Sequence, residues 1–352
     1  MKIAKSGIVM VLSTVISFIV FGGVLVSESV AEFLYPYTAG AKEVSLNNLN
    51  PYLDKDGTAD GAFGDKTQTV DEEGTVSESE KEREFIETEK IPEGSLPITS
   101  YTITPGDYLD GVDGVYIINE DNVSFSLEKL LEDPFTVKFE KNKEPEVLIV
   151  HTHATESYNE YYSNYYYKDN DYRDTDNEKN VVHIGSIVAK KLEEAGISVI
   201  HSEAQHDNPN YNKSYTNSNE TIRKYLDQYS SIKLVLDIHR DTLISDNGTK
   251  YRPITKINGK DVAQIMLLMG AGNDTYPNEV WEKNLSLAAN IQKNAQQLYP
   301  DLMRPILLRD SRYNQHLLAG SMLVEIGTCA NTLEEAERAA EYFCEVLLKT
   351  LD

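Results

Sequence analysis

Three groups of reactive side chains sit at or inside apolar runs patterned as β-strands. Val147–Val150 (VLIV) leads into His151-Thr-His153-Ala-Thr-Glu156, and Leu234–Ile238 (LVLDI) leads into His239-Arg240-Asp241, while Glu325 lies within Met322–Ile326 (MLVEI). In open α/β sheets, ligands bind beyond the carboxyl ends of the strands. Zinc takes two or three imidazoles or carboxylates converging at about 2 Å, with one position left for water. His153 and Glu156, three residues apart, can face one point if the chain turns after the strand, and His239 can supply a third ligand. Two imidazoles and a carboxylate suit a catalytic zinc site. His151 shares a face with His153 if the strand persists, so it is an alternative ligand or the hydrogen-bond partner of one. Asp237 bears the same relation to His239 and can hold its imidazole. For His183, His201, His206 and His316 a structural role is the simpler reading.

Glu325 is the carboxylate most in need of an explanation. Burying an unpartnered charge costs several kcal/mol, and a metal or catalytic water beside it would justify the placement. The role that follows is general base and acid, taking a proton from the attacking water and handing it to a leaving amine. A buried ion pair with Arg or Lys is the alternative. Arg240 is a candidate to neutralise a developing oxyanion or a substrate carboxylate, against a plain surface salt bridge. Other chemistries find little support: there is no G-x-S-x-G elbow, no G-x-x-x-x-G-K loop and no G-x-G-x-x-G after the first strand. Cys329 follows a strand but has no activating neighbour at local spacing. The seven tyrosines between Tyr158 and Tyr172 (YNEYYSNYYYKDNDY) are either a sugar-stacking surface or a self-packed loop.

Around these groups, strands are expected at 115–118, 135–137, 147–150, 197–201, 234–238, 306–308 and 322–326. A short helix is expected near 126–131. Longer helices are expected along Val181, Ile184, Val188 and Leu192 up to Gly196, and along Trp281, Leu285, Ala288 and Ile291 up to Pro300. A last helix opens with the capping box Thr332/Glu335. Asn258-Gly259 marks a hairpin between 254–257 and 261–268. The expected fold is α/β, a mainly parallel sheet covered by helices on both faces with one antiparallel hairpin added.

The chain has 352 residues, with 33 basic and 57 acidic side chains giving a net charge of −24. Without a basic patch, that balance argues against a nucleic-acid partner. Two cysteines, Cys329 and Cys344, make no disulfide framework; each reads as a buried thiol, a single disulfide being the alternative. Residues 7–26 carry no charge and are long enough to span a bilayer. Lys2 and Lys5 before the run place residues 1–6 in the cytoplasm and the remaining chain outside; a cleaved signal peptide ending near Ser29-Val30-Ala31 is the alternative. Between Glu43 and Gly94, fifteen acidic residues stand against five basic ones with few large aliphatics, so 27–99 reads as a flexible stalk. The catalytic domain is then 100–352, with its core over 146–352.

Six ordered segments, VLIVHTHATESY (147–158), NVVHIGSIVAKKLEEAGISVIH (180–201), HDNPNYNKSYTNSNETI (206–222), LVLDIHRD (234–241), INGKDVAQIMLLMG (257–270) and MLVEIGTCANTLEEA (322–336), closely resemble the stage II sporulation protein P family. The resemblance implies a membrane-anchored peptidoglycan hydrolase of endospore formers, with N-acetylmuramoyl-L-alanine amidase activity and endopeptidase activity on stem peptides. It would act at the sporulation septum and engulfing membrane, with stage II sporulation proteins D and M as partners. It also implies a domain similar to the zinc N-acetylmuramoyl-L-alanine amidase (phosphorylase/hydrolase-like) fold, with Zn2+ as cofactor. His153, His239 and Glu325 carry over from that pattern. For the carboxylate ligand, the amidase pattern points to Glu178 and the local spacing to Glu156. Two other readings remain: a zinc carboxypeptidase or endopeptidase acting on peptide stems, and a non-catalytic wall-binding scaffold.

Overall fold

Strands form where β-branched and leucine side chains run together, and helices where apolar residues recur at three- and four-residue spacing. In the computed structural model the described residues are 88, 90–107 and 109–351, with three short strand segments upstream at Phe18–Phe21, Val24–Ser27 and Val44–Ser45. Apart from these segments, the expected membrane span and the stalk as far as residue 87 lie outside the described residues. Among the described residues, no helix is long and apolar enough to cross a membrane.

From Ser95 onward the order is β1 (Ser95–Tyr101), β2 (Ile117–Asn119), α1 (Leu127–Glu132), β3 (Val147–Val150), β4 (Tyr165–Tyr167), α2 (Val181–Glu194), β5 (Val199–His201), α3 (Ser214–Gln228), β6 (Leu234–Asp241), β7 (Leu243–Ile244), β8 (Lys250–Ile257), β9 (Lys260–Ala263), β10 (Ile265–Gly270), α4 (Trp281–Leu298), β11 (Ile306–Arg309), β12 (Ser321–Thr328) and α5 (Leu333–Leu351). Seven strands form the main sheet in the order β2-β11-β10-β12-β6-β3-β5. Its neighbours are parallel except β10 and β12, which run antiparallel with Leu267 opposite Val324. The sheet is therefore mixed, and the reversal falls at its centre rather than at an added hairpin.

Alternation along the strands divides the core between two faces. Val147 and Ile149, Leu234, Leu236 and Ile238, and Met322, Val324 and Ile326 pack with α2, α4 and α5. Leu148, Val150 and Val235 face the other way, where Ile222 of α3 covers them; Leu323 meets Tyr215 of α3 on the same side. Helices thus cover both faces, α2, α4 and α5 on one with the short α1 packed beside them, and α3 on the other. Helix α2 ends in a Schellman motif: Gly196 at φ 83° donates to Glu193 O and Ile197 to Leu192 O.

A smaller sheet runs β7-β8-β1-β4, with β9 also paired to β8. Asn258 and Gly259 both hold positive φ (52° and 77°) between β8 and β9, as a two-residue I′ hairpin needs. The single strand expected over 261–268 is instead two strands in different sheets. Gln264 marks the change: its buried amide bonds both Ile103 N and Ile103 O as well as Asp301 O.

One further expectation is corrected. Residues 135–137 form no strand; Phe135 N–H instead donates to the Ser286 hydroxyl, and Val137 packs into the core. The boundary expected at residue 100 falls inside β1, whose Ile98 is buried. Helix α3 was not anticipated, because its sequence SYTNSNETIRKYLDQ buries only Ser214, Tyr215, Ser218 and Ile222. Cys329 and Cys344 are both buried and free.

Candidate metal centre

The alternation that builds the core also decides which side chains can meet. On β6, Val235 lies on the α3 face, so Asp237 and His239 lie there too. On β12, Leu323 shares that face and Glu325 follows it. β6 and β12 are parallel neighbours with Glu325 directly opposite His239 in register. On β3 the odd residues Val147 and Ile149 face α2, and His151 continues that side. Had the strand persisted, His153 would have pointed there as well. β3 instead stops at Val150 and the chain turns over 152–155, which carries His153 to the α3 face. Thr152 pins the turn: its N–H and hydroxyl donate to Asp237 at 2.8 and 2.6 Å.

His153, Glu156 and His239 each offer one ligand atom, and these atoms lie within 4.8 Å of one another. His153 Nδ1 is 3.4 Å from Glu156 Oε1, and His239 Nδ1 is 3.2 Å from Glu156 Oε2. Atoms bound at about 2 Å to a tetrahedral ion stand about 3.3 Å apart, so a small divalent ion fits this spacing. The donor set of two imidazoles and one carboxylate suits zinc. The other nitrogen of His239, Nε2, contacts Asp237 Oδ1 at 3.0 Å, the carboxylate–imidazole pairing that orients a metal ligand. All four side chains are buried. Burial opposes a charge on His239, yet Asp237 and Glu156 outweigh it and hold its pKa well above the usual range. Burial likewise opposes the Glu156 carboxylate, and His239 with His153 overcomes it. The polypeptide thus favours positive charge between these carboxylates.

His151 does not join the group. Its Nδ1 bonds Ile238 O and its Nε2 lies 2.9 Å from His201 Nε2. A Cβ at Gly185 of α2 would come within 2.6 Å of the His151 ring and 2.7 Å of His201 Nε2, so the helix approaches only because a glycine stands there. Glu178 is also elsewhere: its side chain is 83% exposed and 3.5 Å from His183. Of the two carboxylates considered, Glu156 is the one at the group.

Glu325 lines the same cavity, of about 470 Å³, with Oε2 buried and without a hydrogen-bond partner. Burial pushes its pKa up to about 8, with Asp241 adding to the effect and His239 opposing it. Among the described residues no Arg or Lys pairs with it; the nearby Arg304 is engaged by Asp241 at 2.8 Å. Arg240 is buried rather than at the surface. Its N–H donates to Glu156 Oε2, and its guanidinium donates to Ser157 O, Thr242 Oγ1 and Tyr172 O. It lines the cavity as a fixed positive charge.

Several parts of the site carry no local sequence signal. Tyr211 stacks on His153 at 4.7 Å, and Arg173 covers the outer face of that ring while pairing with Asp207 at 2.9 Å. Neither periodicity nor spacing could place these residues, which lie 20 to 58 positions from His153. The tyrosine-rich segment is largely structural: Tyr158 donates to Ile326 O, Tyr165–Tyr167 forms β4, and Tyr166 and Tyr172 enclose the Lys250 ammonium. Tyr161 and Tyr167 remain exposed.

The family described as stage II sporulation protein P matches residues 37–348. Stage II sporulation protein P of Bacillus subtilis (strain 168) is 28% identical over 217 residues, covering 57% of this chain and 49% of that protein. The match thus spans about half the length of the curated relative. Among solved structures, N-acetylmuramoyl-L-alanine amidase AmiC2 of Nostoc punctiforme is similar at a TM-score of 0.33 and 14% identity, over 60% of this chain and 99% of that one. The CwlD amidase from Clostridioides difficile, in complex with the GerS lipoprotein, is similar at a TM-score of 0.33 and 16% identity, over 58% and 98%. With a family match that runs over residues 37–348, the chain belongs to the stage II sporulation protein P family.

Proposed function

We propose that this chain is a zinc-dependent peptidoglycan hydrolase of sporulation that cleaves the amide between the lactyl group of muramic acid and L-alanine. The observation that carries the reading is Glu325: a buried carboxyl group with a free oxygen, lining the same cavity as a ready-made set of metal donors and directly across from one of them in strand register.

His153, Glu156 and His239 would hold the zinc, which when bound supplies Lewis acidity for water and for the amide carbonyl. Glu325 Oε2 accepts the proton of the attacking water and returns it to the departing amine. A carboxyl group whose pKa lies near neutrality can do both. Asp237 keeps His239 turned toward Glu156 through the bond to Nε2. Arg240 holds Glu156 from its backbone N–H and leaves its guanidinium charge along the wall, where the carbonyl oxygen gains negative charge. Tyr211 and Tyr215 pack on His153 and limit water around it.

In this reading the N-terminal run anchors the chain in the membrane, the hydrolase works on the outer side, and stage II sporulation proteins D and M act with it during septal thinning and engulfment. Digestion of purified sacculi by the full chain, followed by mass analysis of soluble products, tests the bond. Free stem peptides are expected. Trimmed stems still joined to glycan would show a peptidase instead, and no release by the metal-loaded chain would leave a wall-binding scaffold.

A further inference from the structure

A second cavity, of about 290 Å³, lies across Tyr215 from the ligand group, and Tyr215 lines both cavities. Arg223 on α3 and Arg312 before β12 contribute guanidiniums to it, and Glu220 is the one carboxylate in its lining. Among the described residues, the arginines in ion pairs are Arg173, Arg252, Arg304, Arg309 and Arg338; neither Arg223 nor Arg312 forms one. Two guanidiniums without a carboxylate partner in one concavity are unexpected on a chain of net charge −24, where carboxylates are abundant.

The cavity is built rather than incidental. Arg223 Nε donates to Asn219 Oδ1 at 2.8 Å, Asn219 Nδ2 donates to Asn314 Oδ1 at 2.8 Å, and Asn314 Nδ2 donates to Tyr215 O and Ser218 Oγ at 3.0 Å. Tyr313 and Asn314 hold successive left-handed conformations, φ 47° and 56°. Such backbone costs free energy and persists where the surroundings enforce it, often at ligand sites. The Arg312 guanidinium lies 5.1 Å from the Tyr276 ring centre. His316 Nδ1, at the same place, is buried without a partner. Burial lowers the His316 pKa to about 4, and the charges of Arg312 and Arg223 add to that effect.

We propose that this cavity is a carboxylate-binding subsite that grips a free carboxylate on the peptide arm of the substrate whose amide lies in the neighbouring centre. The proposal rests on the hydrolase reading for its substrate class. Guanidiniums recognise carboxylates as a fork of parallel N–H donors, and the shared Tyr215 wall puts the subsite beside the ligand group.

Binding without turnover tests it. The full chain carrying E325Q, in detergent micelles, is titrated with a soluble stem peptide bearing free carboxylates and with the same peptide as carboxamides. The acid form is expected to bind about tenfold or more tightly, and adding R223A and R312A should erase the difference. R312K should recover only part of it. In the otherwise wild-type enzyme, R223A with R312A should raise KM and leave kcat near its original value. Equal binding of the two peptides to E325Q overturns the subsite even if the arginine variants fail to fold. A preference for the acid form with no cleavage of any wall substrate by the parent chain would keep the subsite and reject the hydrolase.

Discussion

Glu325 and His239 stand opposite one another on adjacent parallel strands and leave the sheet on the same face. One of them faces Glu156 with His153 nearby; the other has an oxygen with no partner. A strand register therefore sets the separation between the donors and the proton carrier.

Substituting E325Q should reduce hydrolysis on the order of 10²- to 10⁴-fold, since the amide keeps the shape and loses the proton-accepting oxygen. Turnover on sacculi checks this; near-normal release of stem peptides by the variant would remove Glu325 from the mechanism.

The two candidate carboxylates separate cleanly. E156Q should lose both metal and activity, whereas E178Q should retain both, because Glu178 is 83% exposed and beside His183. Parallel zinc and activity measurements on the two variants decide it. Loss in E178Q with retention in E156Q would reverse the assignment.

Asp237 supports His239 without being a donor. D237N should weaken metal binding about 10- to 100-fold, read by competition with a chromophoric chelator. Unchanged affinity would mean that the 3.0 Å contact to His239 Nε2 has no orienting role.

Away from the site, Arg252 of β8 and Glu335 of α5 form a buried ion pair between the small sheet and the last helix. Glu335 also completes the capping box by accepting from Thr332 N–H, while its own N–H donates to Thr332 Oγ1. Breaking such a pair from one side costs about 3–5 kcal/mol, while replacing both members with apolar residues of like volume costs less. E335A should therefore be more destabilising in denaturant unfolding than R252M with E335L. The reverse order would show that the pair is not what joins the two elements.

Much of the site's framework follows from local pattern. Strand ends pointed to His239 and to the pair His151/His153, and the i, i+3 spacing from His153 favoured Glu156 over Glu178. An apolar run with one carboxylate singled out Glu325. Asn258-Gly259 was legible because few residue pairs accept two positive φ values in succession. The choice between His151 and His153 was not legible, since it depends on whether the strand ends at Val150 or continues, and Thr152 settles that by bonding Asp237, 85 residues away. Helix α3 was hidden because its buried stripe includes serines. The central antiparallel pair, the pairing of β4 with β1, and the Arg173, Asp207 and Tyr211 wall all depend on contacts between distant segments, which no short window encodes.

The most direct measurement is zinc content after dialysis against metal-free buffer, made on the parent chain, E325Q and H239A. About one zinc per chain is predicted for the parent and for E325Q, and almost none for H239A. A parent chain that emerges without zinc after reconstitution, or an H239A variant that keeps it, would contradict the proposed centre.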